Sequence, residues 1–426
     1  MPAFTVYSHA IDTRYGQVYN YRNWDNAKLG QPLPIDVVER YANGTLQMAI
    51  RAFEMDFVRR HNDGSETSVP IHELYDHHHY VQLDDADGNM AHTLGASFEY
   101  RRNRSFVFEA PYRKVVSRPA KFHPFLHLIN TKRPRVAFNG TASPLLQCPC
   151  TPQRQMDAVA NAIDGRKYGF ACPPWLASNP ACSVATYVGG VRCCDGGYSG
   201  EAPFFVTDTA TECEEPTCAA LPIDRAYFKF TLHYEDATPS TRHLEALTCC
   251  SLTSSYDGAD NTEFDIEPCA VGTPPGDCVR SFEAVLPLDV QMDDDGSSPS
   301  DQLELAYMLP HLHEGGVSIS VQDAVTNVTL CSASRADGGV VYGGGSEAGD
   351  ERGYITGFRS CTWNAATAPR YARSHPMRMV AVYDASRYIS GAMARFVTAG
   401  HYVGVRGHAR ARSRMHEHPM GAMMPL

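Results

Sequence analysis

The chain carries a His-x-His pair, His311-Leu312-His313, followed eighty residues later by Met393 in Ser390-Gly391-Ala392-Met393. Two imidazoles one residue apart on an extended strand project from the same face, so both can reach one ion. A thioether joined to two imidazoles makes a mixed soft and borderline donor set. That set suits copper, cycling between its two oxidation states, better than zinc. A second cluster far upstream, His77-His78-His79, keeps the late pair from standing alone.

The elements that must position these residues read as β almost throughout. Residues 44–58 form a long strand candidate ending at the turn His61-Asn62-Asp63-Gly64, and 96–100 and 105–109 look like short strands. Residues 226–234 alternate as a half-buried strand should, and further candidates lie at 317–321, 328–330 and 379–383. Gln155 to Ile163 is the one helix expected in the middle of the chain. Short strands joined by Gly, Pro and Asp turns imply sandwiches or barrels. Composition breaks divide the chain into a first strand set at 1–142, a disulfide-rich insertion or linker at 143–225, a second strand set at 226–403 and a polar tail at 404–426.

Composition bounds the function. A chain of 426 residues is long enough for two medium cores. No run approaches the twenty or so apolar residues of a membrane-spanning helix, so no transmembrane segment is expected. A net charge of −11 argues against nucleic acid as the partner. The basic cluster Arg406 to Arg414 sits in the tail, beside the methionines and histidines of Met415 to Met424. The run Gly343-Gly344-Gly345 lacks the lysine that follows in a phosphate loop. Fourteen cysteines, twelve of them between Cys148 and Cys278, lack paired Cys-x-x-Cys knuckles and read as disulfides. The adjacent pairs Cys193-Cys194 and Cys249-Cys250 are each expected to tie two separate loops together. Glycosylation sequons at Asn43, Asn103, Asn139 and Asn327 fit the same oxidising compartment. The expectation is a secreted, extracellular or lumenal protein whose leader is not in this numbering, since Met1-Pro2-Ala3-Phe4 opens no signal peptide.

The stretch Val69-Pro70-Ile71-His72-Glu73-Leu74-Tyr75-Asp76-His77-His78 resembles the stress up-regulated Nod 19 family. The likeness continues through Leu126 to Lys132, Cys148-x-Cys150 and Gly189 to Cys194. It is densest from His311-Leu312-His313-Glu314-Gly315-Gly316 through Gly345 to Gly357, and ends at Gly391-Ala392-Met393. The order of histidines is in turn similar to that of the ascorbate-dependent copper hydroxylases, the peptidyl-glycine and dopamine monooxygenase class.

That second resemblance implies two stacked jelly-roll β-sandwiches, each with one copper, and ascorbate or a similar reductant. It implies His77, His78 and His127 for the first copper, and His311, His313 and Met393, the catalytic set, for the second. His79 stands where plant members have tryptophan, so the early pair is either His77–His78 or His78–His79; an ungapped match from Val69 favours the first. Tyr388 replaces a histidine of the plant members. Asp76 and Glu314, beside the proposed ligands, are the first acceptors expected to orient them. The function implied is a secreted copper-binding glycoprotein that hydroxylates a C–H bond of an unidentified substrate. The alternative is a non-catalytic extracellular glycoprotein of the same fold that serves in a surface assembly and its partners.

Overall fold

The computed structural model describes residues 2–13, 17–21, 31–88, 94–96, 105–130, 132, 160–161, 204–205, 222–247, 249–252, 263–289, 300–348, 350–387 and 389–403. These residues are all-β apart from one short α-helix, Ile35–Tyr41, and a 3-10 turn at Pro275–Asp277. The helix starts after Pro34 and buries Val37 and Tyr41.

The first sandwich is built on the long strand Met48–Arg60, flanked by Asp224–Asp236 and Tyr112–Val116, with Ala3–Tyr7 beyond Asp224–Asp236. Strict alternation buries Ala226, Phe228, Phe230, Leu232 and Tyr234, as a strand with one face on a core requires. Opposite lies a six-stranded sheet centred on Pro119–Asn130 and Leu74–Asp85. Phe122 from that sheet stacks 5.6 Å from Phe230 and 6.4 Å from Phe228, joining the two sheets. Each such ring, fully buried, contributes about 1.5–3 kcal/mol. Asp224–Asp236 therefore completes the first sandwich, although the sequence reading opened the second strand set at Ala226. Alternation marked the strand but carried no sign of its partners, which lie more than 150 residues earlier.

The second sandwich pairs a sheet of Val279–Pro287, Pro376–Asp384, Gly316–Asp323 and Thr329–Ser334 with one centred on Ile389–Tyr402 and Gln302–Leu312. Met377, Met379, Ala381 and Tyr383 alternate inward, and a Cys331–Cys361 disulfide ties the two sheets. Cys269–Cys278 closes a shorter loop. Cys249 and Cys250 are bonded to each other, contrary to the expectation of separate partners. Cys193 and Cys194 lie outside the described residues, as do the other cysteines of the insertion and the tail from residue 404. Of the helix expected over Gln155 to Ile163 only Ala160–Asn161 is described, and it pairs as a strand with Val279–Pro287.

Residues 237–247 cross from one sandwich to the other. Arg242–His243 runs parallel to Tyr112 and Arg113, and Glu245–Leu247 then joins Ile389–Tyr402. The crossing is fastened by Glu304 of the second sandwich. Its buried carboxylate accepts from Tyr112 Oη at 2.9 Å, Arg242 Nη1 at 2.5 Å and Arg370 Nη2 at 2.5 Å. Burial alone would raise the Glu304 carboxyl, but Tyr112 and the two guanidinium groups outweigh it and hold it below the usual range. Phe108 meets Tyr307 edge-on at 6.0 Å beside this point. A second contact joins the sandwiches where Glu351 Oε1 accepts from Ile71 N–H at 3.0 Å and lies 3.8 Å from His72 Nδ1.

Candidate functional site

The late histidine pair sits at the end of Gln302–Leu312, and Met393 lies on Ile389–Tyr402, its neighbour in the sheet. Met308, Pro310 and Leu312 face Thr398, Phe396 and Ala394 across the ladder, and Met308, Leu312, Phe396 and Ala394 belong to the apolar core between the sheets. The alternate residues form the outward face: Leu309 opposite Val397, and His311 opposite Arg395. The ladder continues with His313 N–H donating to the Met393 carbonyl at 3.3 Å, which sets His313 opposite Met393. Directly opposed residues of an antiparallel pair share a face. Both imidazoles and the thioether therefore rise from one patch, with all three residues 0 % exposed. The two rings lie 5.1 Å apart between centroids at 85° to each other.

The turn after His313 is held by its glycines. Gly315 has φ +88°, and a Cβ there would meet Ile389 Cδ1 at 2.5 Å. Tyr342 Oη accepts from Gly315 N–H at 3.1 Å and donates to the Gly316 carbonyl at 3.0 Å, and burial pushes that phenol up to about 12. From the opposite sheet, Tyr383 crosses the core. Its hydroxyl donates to the Met393 carbonyl and accepts from His313 N–H at 3.3 Å.

In the first sandwich His127 pairs with His78, Leu126 with His79 and Leu128 with Asp76, so His77 is the extra residue of a β-bulge. The bulge sets two residues against one opposite His127. The backbone thus brings His77, His78 and His127 together, while their side chains lie outside what is described. His79 takes a different direction. It is buried, with Nδ1 2.7 Å from Asp76 Oδ2 and its ring 5.4 Å from Phe228 in the sandwich core. Asp76 therefore serves His79, and Glu314 pairs with Arg387 at 2.8 Å. Among the described residues no three His, Cys, Asp or Glu side chains gather as a metal cluster; the late set needs its thioether to make three donors. Tyr388 lies outside the described residues.

A family model for stress up-regulated Nod 19 proteins matches residues 182–399, which is 218 of the 426 residues and just over half of the chain. The chain belongs to the stress up-regulated Nod 19 family. No curated protein matches it. The family match spans the whole late site, from His311 to Met393, together with the crossing strands that hold it against the first sandwich.

Within this Nod 19 segment the structure gives roles to residues that sequence reasoning passed over. Gly343 packs against the Glu351 backbone so closely that a Cβ would meet the Glu351 carbonyl at 2.0 Å. Asp350 accepts from Gly344 N–H at 3.1 Å and Ser346 Oγ at 2.5 Å, closing the loop that presents Glu351 to Ile71. In sequence the segment shows only as part of the Nod 19 resemblance, from Gly345 to Gly357. Its density of glycine and carboxylate was the available signal. Tyr383 gave none, because an inward tyrosine on an alternating strand looks like any core ring.

Of the sequons, Asn43 is exposed in a turn where its Oδ1 accepts from Thr45 N–H at 2.9 Å, and Asn327 is exposed in a tight turn at φ +59°. Asn103 and Asn139 lie outside the described residues. Among the described residues no helix is long and apolar enough to cross a membrane.

Proposed function

We propose that this Nod 19 family member is a secreted copper-binding glycoprotein that acts as a monooxygenase, hydroxylating a C–H bond with an ascorbate-type reductant. One observation carries the reading: His311, His313 and Met393 rise from adjacent strands in register on one buried outward face. The donor set fits the ion. Two imidazoles sharing a tetrahedral ion about 2 Å from each nitrogen hold their centroids about 5 Å apart, and these stand at 5.1 Å. The soft sulfur beside them favours the reduced ion.

Copper bound there supplies one-electron redox chemistry with dioxygen. The chain's own residues supply the rest. Tyr383 fixes the spacing of the two strands, and the Gly315 turn ends the histidine strand where the ligands must stop. Burial of the patch excludes bulk water. The early set, His77, His78 and His127, is proposed for a second copper, the backbone bulge being what supports it. Asn43 and Asn327, exposed in turns, are proposed glycan acceptors, and the Cys269–Cys278 and Cys331–Cys361 disulfides support an oxidising compartment.

The test is metal analysis of chain purified without chelator, followed by ascorbate-dependent oxygen uptake. About two coppers per chain, with uptake abolished in His313→Ala and Met393→Leu, is the expected result. A chain that takes up no copper would leave the extracellular scaffold reading in its place.

A further inference from the structure

The segment that crosses between the sandwiches gathers ionisable side chains of its own. His243, Lys114 and Glu245 pack together there, joined by His401, which sits opposite Glu304 at the far end of the ladder from His311. His243 is buried, and its ring is fixed by what it touches. Val115 N–H donates to Nδ1 at 3.1 Å, so that nitrogen presents a lone pair. Nε2 therefore bears the hydrogen and donates to Glu245 Oε1 at 3.0 Å. The Val115 bond extends the short pairing of Arg242–His243 with Tyr112 and Arg113. In that pairing Arg242 N–H donates to the Pro111 carbonyl at 3.0 Å and Leu244 N–H to the Arg113 carbonyl at 2.9 Å. Lys114 Nζ donates to the Leu244 carbonyl at 2.9 Å and lies 3.7 Å from Glu245 Oε2.

A second proton on His243 must enter at Nδ1, where it would face the Val115 N–H, and two donors cannot bond each other. The imidazolium would also share its buried surroundings with Lys114. His401 is not equivalent. Its Nδ1 donates to the His243 carbonyl at 3.0 Å, a bond that a charged ring keeps. The nearby arginines are engaged elsewhere, Arg242 with Glu304 at 2.5 Å and Arg113 with Glu235 at 2.6 Å.

We propose that His243 is an acid-sensitive latch of the crossing segment: a proton on Nδ1 breaks the bond from Val115 and releases Arg242–His243 from the strand Tyr112–Val116. Glu304 stays ionised and still grips Tyr112 and Arg242, so the change is a local opening and the sandwiches remain tethered. The latch involves no metal and stands apart from the copper reading. Its direction follows from the surroundings. Burial presses the imidazole below its ordinary value, Lys114 and His401 add to this, and Glu245 opposes them. The unfolded chain thus takes the proton more readily. The stability His243 contributes is complete above about pH 6.5 and is lost as pH falls below it.

The experiment is hydrogen exchange on the full metal-free chain from about pH 7.5 to about 5.5, each rate divided by the intrinsic rate at that pH. Protection of the Val115 and Leu244 amides should fall about tenfold, with a midpoint below about 6.5. The Phe228 amide, bonded to Ser8 Oγ at 3.0 Å in the first sandwich, should keep its protection. His243→Asn puts an amide oxygen in place of Nδ1, accepts from Val115 and does not titrate, so protection there should hold throughout. Glu245→Gln removes the carboxylate that favours the imidazolium and should move the midpoint to lower pH. Val115 protection that ignores pH in wild type, or that falls equally in His243→Asn, overturns the proposal. An equal fall at Phe228 also overturns it, because the whole chain is then opening. Should His243→Asn fail to fold, Glu245→Gln decides: a midpoint that stays or rises refutes the latch.

Discussion

Tyr383→Phe isolates what holds the late site in register. The substitution keeps the ring, its edge-on contact with Phe282 at 6.5 Å and its place in the core. It removes only the hydroxyl that donates to the Met393 carbonyl and accepts from His313 N–H. Those two backbone groups still have each other at 3.3 Å, so the loss is one strong donor to a buried carbonyl. Such a loss costs about 1–3 kcal/mol. The remaining bond puts the expectation near the lower end, about 1–2 kcal/mol in urea unfolding. If the hydroxyl also sets the spacing of His313 and Met393, cuprous affinity should fall about tenfold, equivalent to about 1.4 kcal/mol, in competition against a chromophoric chelator. Tyr402→Phe is the control, because its buried hydroxyl bonds Asp289 at 2.6 Å away from the ligands. It should lose stability and keep its copper affinity. Wild-type affinity in Tyr383→Phe, or an equal loss in Tyr402→Phe, would refute the positioning role. A chain that binds no copper still leaves the unfolding comparison to be read.

Glu304→Gln should destabilise the chain by about 2 kcal/mol in urea unfolding, because two guanidinium groups and a phenol then face a neutral amide. Asp323 is held down to about 2: burial opposes this, but His375 Nε2 at 2.8 Å and the Val325 and Thr326 amides outweigh it. A depressed carboxyl stabilises the folded state above its unfolded value near 4, and that stability is lost as pH falls toward 2. Asp323→Asn should therefore flatten the acid limb of the unfolding curve between those limits. Gly343→Ala must displace the Glu351 carbonyl, so it should cost about 1–3 kcal/mol and expose the Ile71 amide to faster hydrogen exchange. Cys331→Ser with Cys361→Ser opens a link between residues 30 apart and should lower stability by about 3–4 kcal/mol, read at the unfolding midpoint.

Local pattern made part of this fold legible. Residues 226–234 and 379–383 announced themselves by alternation, because each has one face on a core and one toward solvent or a neighbouring sheet. The histidine strand did not: from Leu303 to Leu312 every residue is buried, so no polar face marks its period. The His-x-His spacing and the distant methionine nevertheless identified residues that the sheet brings into register, since spacing within a strand survives burial on both faces. What stayed hidden depends on contacts between distant segments. Examples are the return of Asp224–Asp236 to the first sandwich, the reach of Tyr383 through the core and the hold of Glu304 on Arg242.

The face that His311 and His313 occupy depends on a single residue. Between Leu305 and Tyr307 the ladder slips: Leu305 pairs with Gly400 and Tyr307 with Ala399, leaving Ala306 as a bulge. Before the slip Glu304 points outward to Tyr112, and after it Tyr307, Leu309, His311 and His313 point the same way. In an unbroken strand, residues an odd number apart lie on opposite faces, so Glu304 outward would place His311 and His313 in the core. Ala306 itself packs with Tyr112 and Leu244 at the junction of the sandwiches. The same strand can thus be fastened to the first sandwich at one end and present two imidazoles toward that side at the other. The early cluster carries its own bulge, at His77. In both sandwiches a strand that carries histidines has a β-bulge against its neighbour, which shifts its alternation at that point.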